Sequence, residues 1–313
     1  MKQLSLNTSA ILSGVAGSAL LSATLLGLAA PAIAADYPEL RPSYPNHWEN
    51  TEDNPLRFEV GLRYWYAVGQ QESQLGGNTY NTTDYSHIPE VHLRIQDDYT
   101  SSFLKANAGY AALVSGKHTA GTNSPSDFSG GHIGYIGADY GYTPFGNDSV
   151  KVGGLIGYQY LLDSPDRNRL DVQHINGLNV HMLRLGITGR ADLGEFADIE
   201  AEAVAIPYAY ASGATAEIPS ANQTVQGVVV NRSSIEASGA MYGASGQVMV
   251  GFHPTENLTV RVGGRAWYLT GPASARQKQW NAATPNAYLY SDTPLNAFSL
   301  LRYGGLLEVT GRF

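Results

Sequence analysis

Residues 302–313 alternate without a break. Tyr303, Gly305, Leu307, Val309, Gly311 and Phe313 fall on one side, and Arg302, Gly304, Leu306, Glu308, Thr310 and Arg312 on the other. Consecutive side chains of a strand point to opposite faces, so this run has one apolar, aromatic face and one face carrying two arginines and a glutamate. A soluble sheet can bury the first face. A membrane barrel instead turns it to lipid, lines its lumen with the second, and closes on itself so that no backbone group is left unpaired. The rest of the chain decides between them.

The same alternation recurs in segments of the length that a tilted strand needs to cross a bilayer. Arg57 to Val68 sets Phe58, Val60, Leu62, Tyr64, Tyr66 and Val68 against Glu59, Gly61, Arg63 and Trp65. His87 to Asp97, Phe103 to Val114, His132 to Tyr142, Val150 to Leu162, Val180 to Leu193, Asp198 to Tyr210, Met241 to Phe252, Leu258 to Leu269 and the terminal run complete the set. The facing of 132–142 is ambiguous because that segment is glycine-rich. Ten segments make the even number expected of a single-chain barrel. Short links rich in Gly, Pro, Asn and Asp (98–101, 143–148, 194–196, 254–257) alternate with long ones (69–85, 115–130, 163–178, 211–238, 270–296). A barrel with short periplasmic turns and long extracellular loops sorts its connections in this way. Tyrosines gather near strand ends, as interfacial girdles do: Tyr64, Tyr66, Tyr140, Tyr142, Tyr158, Tyr160, Tyr208, Tyr210 and Tyr268.

The predicted fold is therefore all-β: a transmembrane, antiparallel, up-and-down β-barrel of ten strands. The terminal run resembles the C-terminal strand of bacterial outer-membrane proteins, whose final Phe, here Phe313, is read by the barrel assembly machinery. The strand count and loop order resemble the omptins, and Gly61-Leu62-Arg63-Tyr64-Trp65-Tyr66 is similar to the opening strand of omptin-like alphaproteobacterial surface barrels. That resemblance implies a Gram-negative outer-membrane location. Omptin catalysis uses an Asp-x-Asp pair facing an Asp-x-His pair, and neither spacing occurs in this sequence.

The start of the chain agrees with export. Lys2, an apolar stretch from Ala10 to Ala30, and the small-residue site Ala32-Ile33-Ala34 have the order of a cleavable signal peptide over 1–35. A proline-rich periplasmic tail (Pro38, Pro42, Pro45, Pro55) follows over 36–56, and the barrel over 57–313. There is no cysteine, so closure of the sheet rather than disulfides must supply stability. After the leader no apolar run is long enough for a membrane helix. Gly (35) and Tyr (20) are abundant while only 15% of residues are charged, as alternating strands with aromatic belts require. A net charge of −8 argues against a nucleic-acid partner.

Parity places a mixed-sign set in the lumen: Glu59, Arg63, Glu90, Arg94, Lys105, Lys151, Arg184, Arg190, Asp192, Glu200, Glu202, Arg261, Arg265, Arg302 and Glu308. Barrels of about eight strands are filled by their own side chains and open channels need roughly sixteen, so ten strands lie near the filled limit. Long arginines forking onto carboxylates make a plug, and an ion-selective constriction is the other reading of the same residues. Candidates for chemistry are few. Ser86 and His87 are adjacent and would face opposite ways; Ser115 lies near His118; Asp163, Asp166, Asp171 and His174 share one loop as a potential hydrolytic or metal set; and Glu90-Val91-His92 has no matching pair. No catalytic residue, metal or cofactor is expected. The expected role is a non-enzymatic surface scaffold or binding barrel that contacts outer-membrane lipid, lipopolysaccharide or a surface protein. The alternatives are a narrow porin-like channel and an omptin-like hydrolase with an altered site. Residues 224–230, with four valines, could extend a hairpin beyond the membrane.

Overall fold

The computed structural model describes residues 56–313 except 76, 148, 168, 170–175, 195, 216, 285 and 294. The signal peptide and the periplasmic tail expected from the sequence lie outside the described residues, except Leu56, which begins the first strand. Every described element is a strand: β1 (Leu56–Leu75), β2 (Asn78–Asp97), β3 (Ser102–Tyr110), β4 (Leu113–Ala120), β5 (Ser126–Ser129), β6 (His132–Gly146), β7 (Val150–Ser164), β8 (Asn176–Asp192), β9 (Ala197–Ala214), β10 (Ile218–Val225), β11 (Val228–Thr255), β12 (Leu258–Gly271), β13 (Ser274–Asn281), β14 (Tyr288–Thr293) and β15 (Leu295–Arg312). All pairings are antiparallel. Neighbours run β1-β15-β12-β11-β9-β8-β7-β6-β3-β2, and β2 pairs β1 to close the ring. Counting β3 with β4 and β5 with β6 as interrupted staves, the wall has ten strands.

Closure joins the first strand to the last. β1 and β15 are in register from Glu59↔Arg312 to Leu75↔Leu295, and Phe58 and Phe313 exchange backbone hydrogen bonds of 2.9 and 3.1 Å. Alternation does what the sequence pattern requires. Val60, Leu62, Val91, Leu104, Ile136, Ile156, Ile187, Val248, Val262, Leu307 and Val309 are exposed on the outside. Glu90, Arg261, Arg302 and Glu308 are at most 2% exposed on the inside. Such an inverted sheet, apolar outward and charged inward, is stable only where its outer surface meets hydrocarbon. The ambiguous strand resolves as well: Ile133, Tyr135 and Asp139 point inward, and Ile136, Tyr140 and Tyr142 outward.

The long connections at the extracellular end are largely paired strand. β1 and β2 remain paired up to Leu75↔Asn78, so 69–75 and 78–85 are paired strand. β11 is 28 residues long, although a tilted strand crosses a bilayer in about ten. The link 211–238 is mostly β10 and the outer half of β11, which meet at Val225↔Val228. Gln226 and Gly227 between them both have positive φ (51° and 79°), the geometry of a two-residue I′ turn. The hairpin expected around 224–230 is thus present. The link 270–296 is mostly β13 and β14; β13 pairs β11 and β14 pairs β13. β10, the outer half of β11, β13 and β14 therefore continue the wall outward as paired sheet. The alternating apolar signal ends where lipid ends, while backbone pairing continues, which is why composition alone reads these stretches as loops.

Close packing inside the wall uses glycine opposite rings. Phe103, 2% exposed, pairs Gly141, and a Cβ on Gly141 would run into its ring. Gly141→Val should therefore lower barrel stability by roughly 1–3 kcal/mol. This would be read as a lower midpoint of the heat-induced mobility shift on gels; an unchanged midpoint would show that the ring is free to move aside.

Candidate functional site

The lumen is built in layers, set by the position of each inward residue on its strand. At the end with the short turns, a vestibule of about 1010 Å³ is lined by Arg57, Lys151, Arg190, Asp192, His253 and Arg312 among others. Lys151 donates to Asp98 at 2.7 Å, and Arg57 lies 2.6 Å from the same carboxylate. Burial opposes ionisation of Asp98, but hydrogen bonds from Lys151 and Gln96 and the charge of Arg57 outweigh it and hold its carboxyl below the usual range. Asp192 is 48% exposed and 3.5 Å from Arg190, so it belongs to the vestibule rim and not to the packed lumen expected for it. It sits where β8 is about to leave the sheet.

Above the vestibule lies an ionic lattice. Arg63 bridges Glu90 and Glu308, at 2.5 Å to each. Arg261 reaches Glu308 at 2.8 Å and Asp198 at 3.0 Å. Arg190 bonds Glu59 at 3.2 Å and Asp198 at 3.1 Å, and Arg312 also bonds Asp198 at 3.1 Å. Arg94 reaches Glu200 at 3.2 Å. Lys105 bonds Glu202, which also takes Arg184 at 2.8 Å. Arg265 donates to Glu90 at 2.7 Å. The space left among these side chains is about 80 Å³, room for a few waters.

The third layer is aromatic. Trp65 and Trp267 meet edge to face with centroids 4.8 Å apart, and Tyr135 closes the triangle at 6.0 and 5.4 Å. Arg265 ties this layer to the lattice, its guanidinium 5.2 Å from the Trp65 ring centre, and Tyr135 donates to Glu90. Ile88, Ile133, Leu161, Met182, Ile206, Leu269 and Leu300 are part of the same buried apolar cluster.

A fourth layer closes the outer end. Arg302, fully buried, donates to Asp84 and to Asp163 at 2.8 Å each and to Ser86 at 3.2 Å. Gln71 adds a 2.7 Å bond to Asp163, and Ser86 donates to Asp84. Gly69 sits against this clamp, where a Cβ would strike both Asp84 and Arg302. Arg302 thus belongs to a separate outer clamp and not to the central lattice.

Of the residues expected in the lumen, Glu59, Arg63, Glu90, Arg94, Lys105, Arg184, Arg190, Glu200, Glu202, Arg261, Arg265 and Glu308 meet in the lattice. Sequence reasoning put Arg312 on the polar face of the terminal run without counting it among the lumen charges, gave Asp163 to a loop, and missed Asp84, Asp139 and Asp198. Parity was the available signal, since Asp198 shares a face with Glu200 and Glu202, and Asp163 with Lys151 and Gln159. Asp139, which takes Arg184 at 2.9 Å, was hidden by the glycine-rich strand.

The chemical candidates do not assemble. Ser86 points inward to Asp84 while His87 points outward to Tyr64. His118 is buried against Thr82 at 2.8 Å, and Ser115 faces the other way, exposed. Asp166 holds Arg169 at 2.6 Å, and Asp163 is in the clamp; Asp171 and His174 lie outside the described residues. His92 lies 3.6 Å from Glu308, in the lattice. Among the described residues no cluster of His, Asp and Glu has the form of a metal site.

No family model and no curated protein sequence matches the chain. Among solved structures, the outer membrane protease OmpT from Escherichia coli is similar with a TM-score of 0.54 and 13% identity, over 84% of this chain and 96% of that one. Ail, the attachment invasion locus protein of Yersinia pestis, gives 0.29 at 9% identity over 82% and 98%. The Pseudomonas putida toluene transporter TodX gives 0.27 at 10% over 83% and 90%. The first of these establishes the likeness as one of fold, a closed ten-stranded antiparallel barrel of the outer-membrane kind; the two lower scores add nothing to it.

Removing one partner of a buried ion pair strands the other. Glu308→Ala leaves Arg63 and Arg261 short of a carboxylate and should cost about 3–5 kcal/mol. Urea unfolding of the refolded barrel measures this; a loss below about 1 kcal/mol would mean that water enters the lattice freely.

Proposed function

We propose that this chain is a non-enzymatic, non-conducting outer-membrane barrel that works as a surface scaffold or binding protein through the wall it raises beyond the membrane. One observation carries the reading: the lumen is filled in successive layers of ionic lattice, aromatic triangle and outer clamp, with only about 80 Å³ left in the lattice. A passive channel needs a continuous water path, and a ten-stranded barrel reaches that only with a sparsely filled interior. The raised wall has the composition of a binding surface. On β13 and β14, Trp280, Tyr288 and Tyr290 are interleaved with Lys278 and Arg276 and with Arg232 of the adjoining β11, with Lys278 4.5 Å from the Tyr288 ring centre and Arg276 5.7 Å from that of Tyr290. Trp, Tyr and Arg on rigid strands are the residue types that dominate protein recognition. A surface protein is the partner this face would take.

The same proposal includes the route. Residues 1–35 direct export and are cleaved, and Phe313 with its alternating strand is read by the assembly machinery, placing the barrel in a Gram-negative outer membrane.

In planar-bilayer recordings the refolded protein should be silent. Truncating the aromatic layer with Trp65→Ala and Trp267→Ala should not by itself open a path, because the lattice lies beneath it. Steady conductance of the wild type would overturn the reading in favour of a narrow channel; Arg261→Gln with Arg265→Gln should then change its ion selectivity.

A further inference from the structure

The raised wall ends in an open strand edge. β10 continues β9, β13 continues β12 and β14 runs on into β15, so β10, the outer half of β11, β13 and β14 form one antiparallel sheet. β1 pairs β15 up to Leu75↔Leu295 and then gives way to β2, which leaves β14 standing higher than the strand beside it. Among the described residues β14 pairs β13 alone.

Hydrogen bonding identifies the groups that this edge presents. Asn281 donates to the Ala287 carbonyl at 3.1 Å, on the β14 side, and Ala282 donates to the Val229 carbonyl at 2.8 Å, on the β11 side. In an antiparallel ladder, alternate residues of a strand bond to opposite neighbours. With Gln279 opposite Leu289 and Gln277 opposite Ser291, the odd-numbered residues of β14 bond to β13. Tyr288, Tyr290 and Asp292 therefore turn their N–H and C=O groups away from it, as a row of donors and acceptors backed by three paired strands.

The two edges of the raised sheet are treated differently. β10 carries Pro219, and its register slips between Pro219 and Gln223. Proline and irregular pairing are ordinary means of blunting an edge. β14 has neither proline nor lysine and keeps an unbroken register with β13. Its one charge, Asp292, is exposed and lies 3.6 Å from Arg276 on the β13 side; the open side has no wall strand to supply a second cation. The Tyr288 and Tyr290 side chains are exposed on the same face as Asp292, and tyrosine packs well against a β-branched residue across a strand pair.

We propose that the free edge of β14 takes an extended segment of a surface protein as an added antiparallel strand, with a basic residue opposite Asp292 and β-branched residues opposite Tyr290 and Tyr288. The segment occupies the place β1 would fill if it were longer. Main-chain hydrogen bonds supply the affinity of such an addition and alternate side chains its selectivity. The inference rests on the reading of the raised wall as a binding surface and states how that surface binds. A second copy is a poorer occupant: two barrels in one membrane run their strands in the same sense, so their β14 edges would meet in parallel and set Asp292 beside Asp292.

The test uses the full refolded chain in detergent micelles and the fluorescein-labelled, amidated peptide Thr-Lys-Thr-Val-Val-Thr, whose Lys falls opposite Asp292 and whose first Val falls opposite Tyr290. Binding is read by fluorescence polarisation. Tyr290→Pro removes an outward N–H without touching a bond to β13 and should weaken binding about tenfold or more, whereas Tyr290→Thr keeps the backbone and should stay within about threefold. Asp292→Lys should weaken binding about fivefold, and a peptide with Glu in place of Lys should recover it. Peptide methylation decides the matter even where Tyr290→Pro does not refold. N-methyl groups on the Lys and the first Val, which face β14, should abolish binding, and N-methyl groups on the middle Thr and the second Val, which face away, should not. Absence of binding by the wild type, equal loss from both methylation patterns, or wild-type binding by Tyr290→Pro would each overturn the proposal, as would self-association of the chain that Tyr290→Pro abolishes. Binding lost in Trp280→Ala but kept in Tyr290→Pro would put recognition on the outer face of the sheet, overturning the added strand and leaving the raised-wall reading in place. Conductance is indifferent to all these outcomes, so failure here leaves the closed-barrel reading standing.

Discussion

Everything in this barrel depends on neutralising charge in a space too narrow for bulk water. Eight cations, Arg63, Arg94, Lys105, Arg184, Arg190, Arg261, Arg265 and Arg312, stand among seven carboxylates, Glu59, Glu90, Asp139, Asp198, Glu200, Glu202 and Glu308. Each ion taken out of water costs several kcal/mol unless a partner replaces its solvent, so the set is stable only as a whole. Arginine suits the task because its planar fork can serve two carboxylates at once, as Arg63 and Arg261 do. Asp198 does the converse, gathering Arg190, Arg261, Arg312 and His253 onto one side chain.

The layers above the lattice follow from the same restriction. A purely ionic filling would need water or counter-charges along its whole length. The aromatic triangle ends the need, because Trp65, Trp267 and Tyr135 fill volume without charge, and Arg265 meets ring faces at the boundary. The outer clamp then repeats the ionic solution once, with two carboxylates on one arginine. On the outer surface, Tyr64, Tyr110 and Tyr158 each hydrogen-bond a histidine at the edge of the apolar band: His87, His132 and His181.

Much of this was legible in the sequence wherever one face met lipid. Alternation gave the strands, their facing and the lattice members from Glu59 to Glu308, because a one-residue slip would put arginine into hydrocarbon. It failed where neither face is lipid. Beyond the girdle both faces of β2, β11 and β13 are mixed, so paired sheet looks like loop, and Asp84 was lost with the outer end of β2. It failed also at β6, where glycines carry no facing signal and Asp139 was unassigned. Asp192 kept the right parity but stands too near the strand end to be enclosed. Which carboxylate pairs which arginine across the lumen depends on barrel diameter and stagger, and strand patterns do not encode either.

The pairing of the first strand with the last has a kinetic side. Arg63 and Glu308 are 245 residues apart, and their contact forms only when β1 meets β15. Until that seam closes, an incomplete sheet holds lattice charges without partners and two unpaired edges, so partly assembled states gain little by lingering. Contacts of such sequence separation are slow to form, because chain entropy is lost before they repay it. The barrel is thus committed late and nearly all at once. A chain stalled short of its final strand would lack the wall and, with it, the glutamate on which two arginines depend.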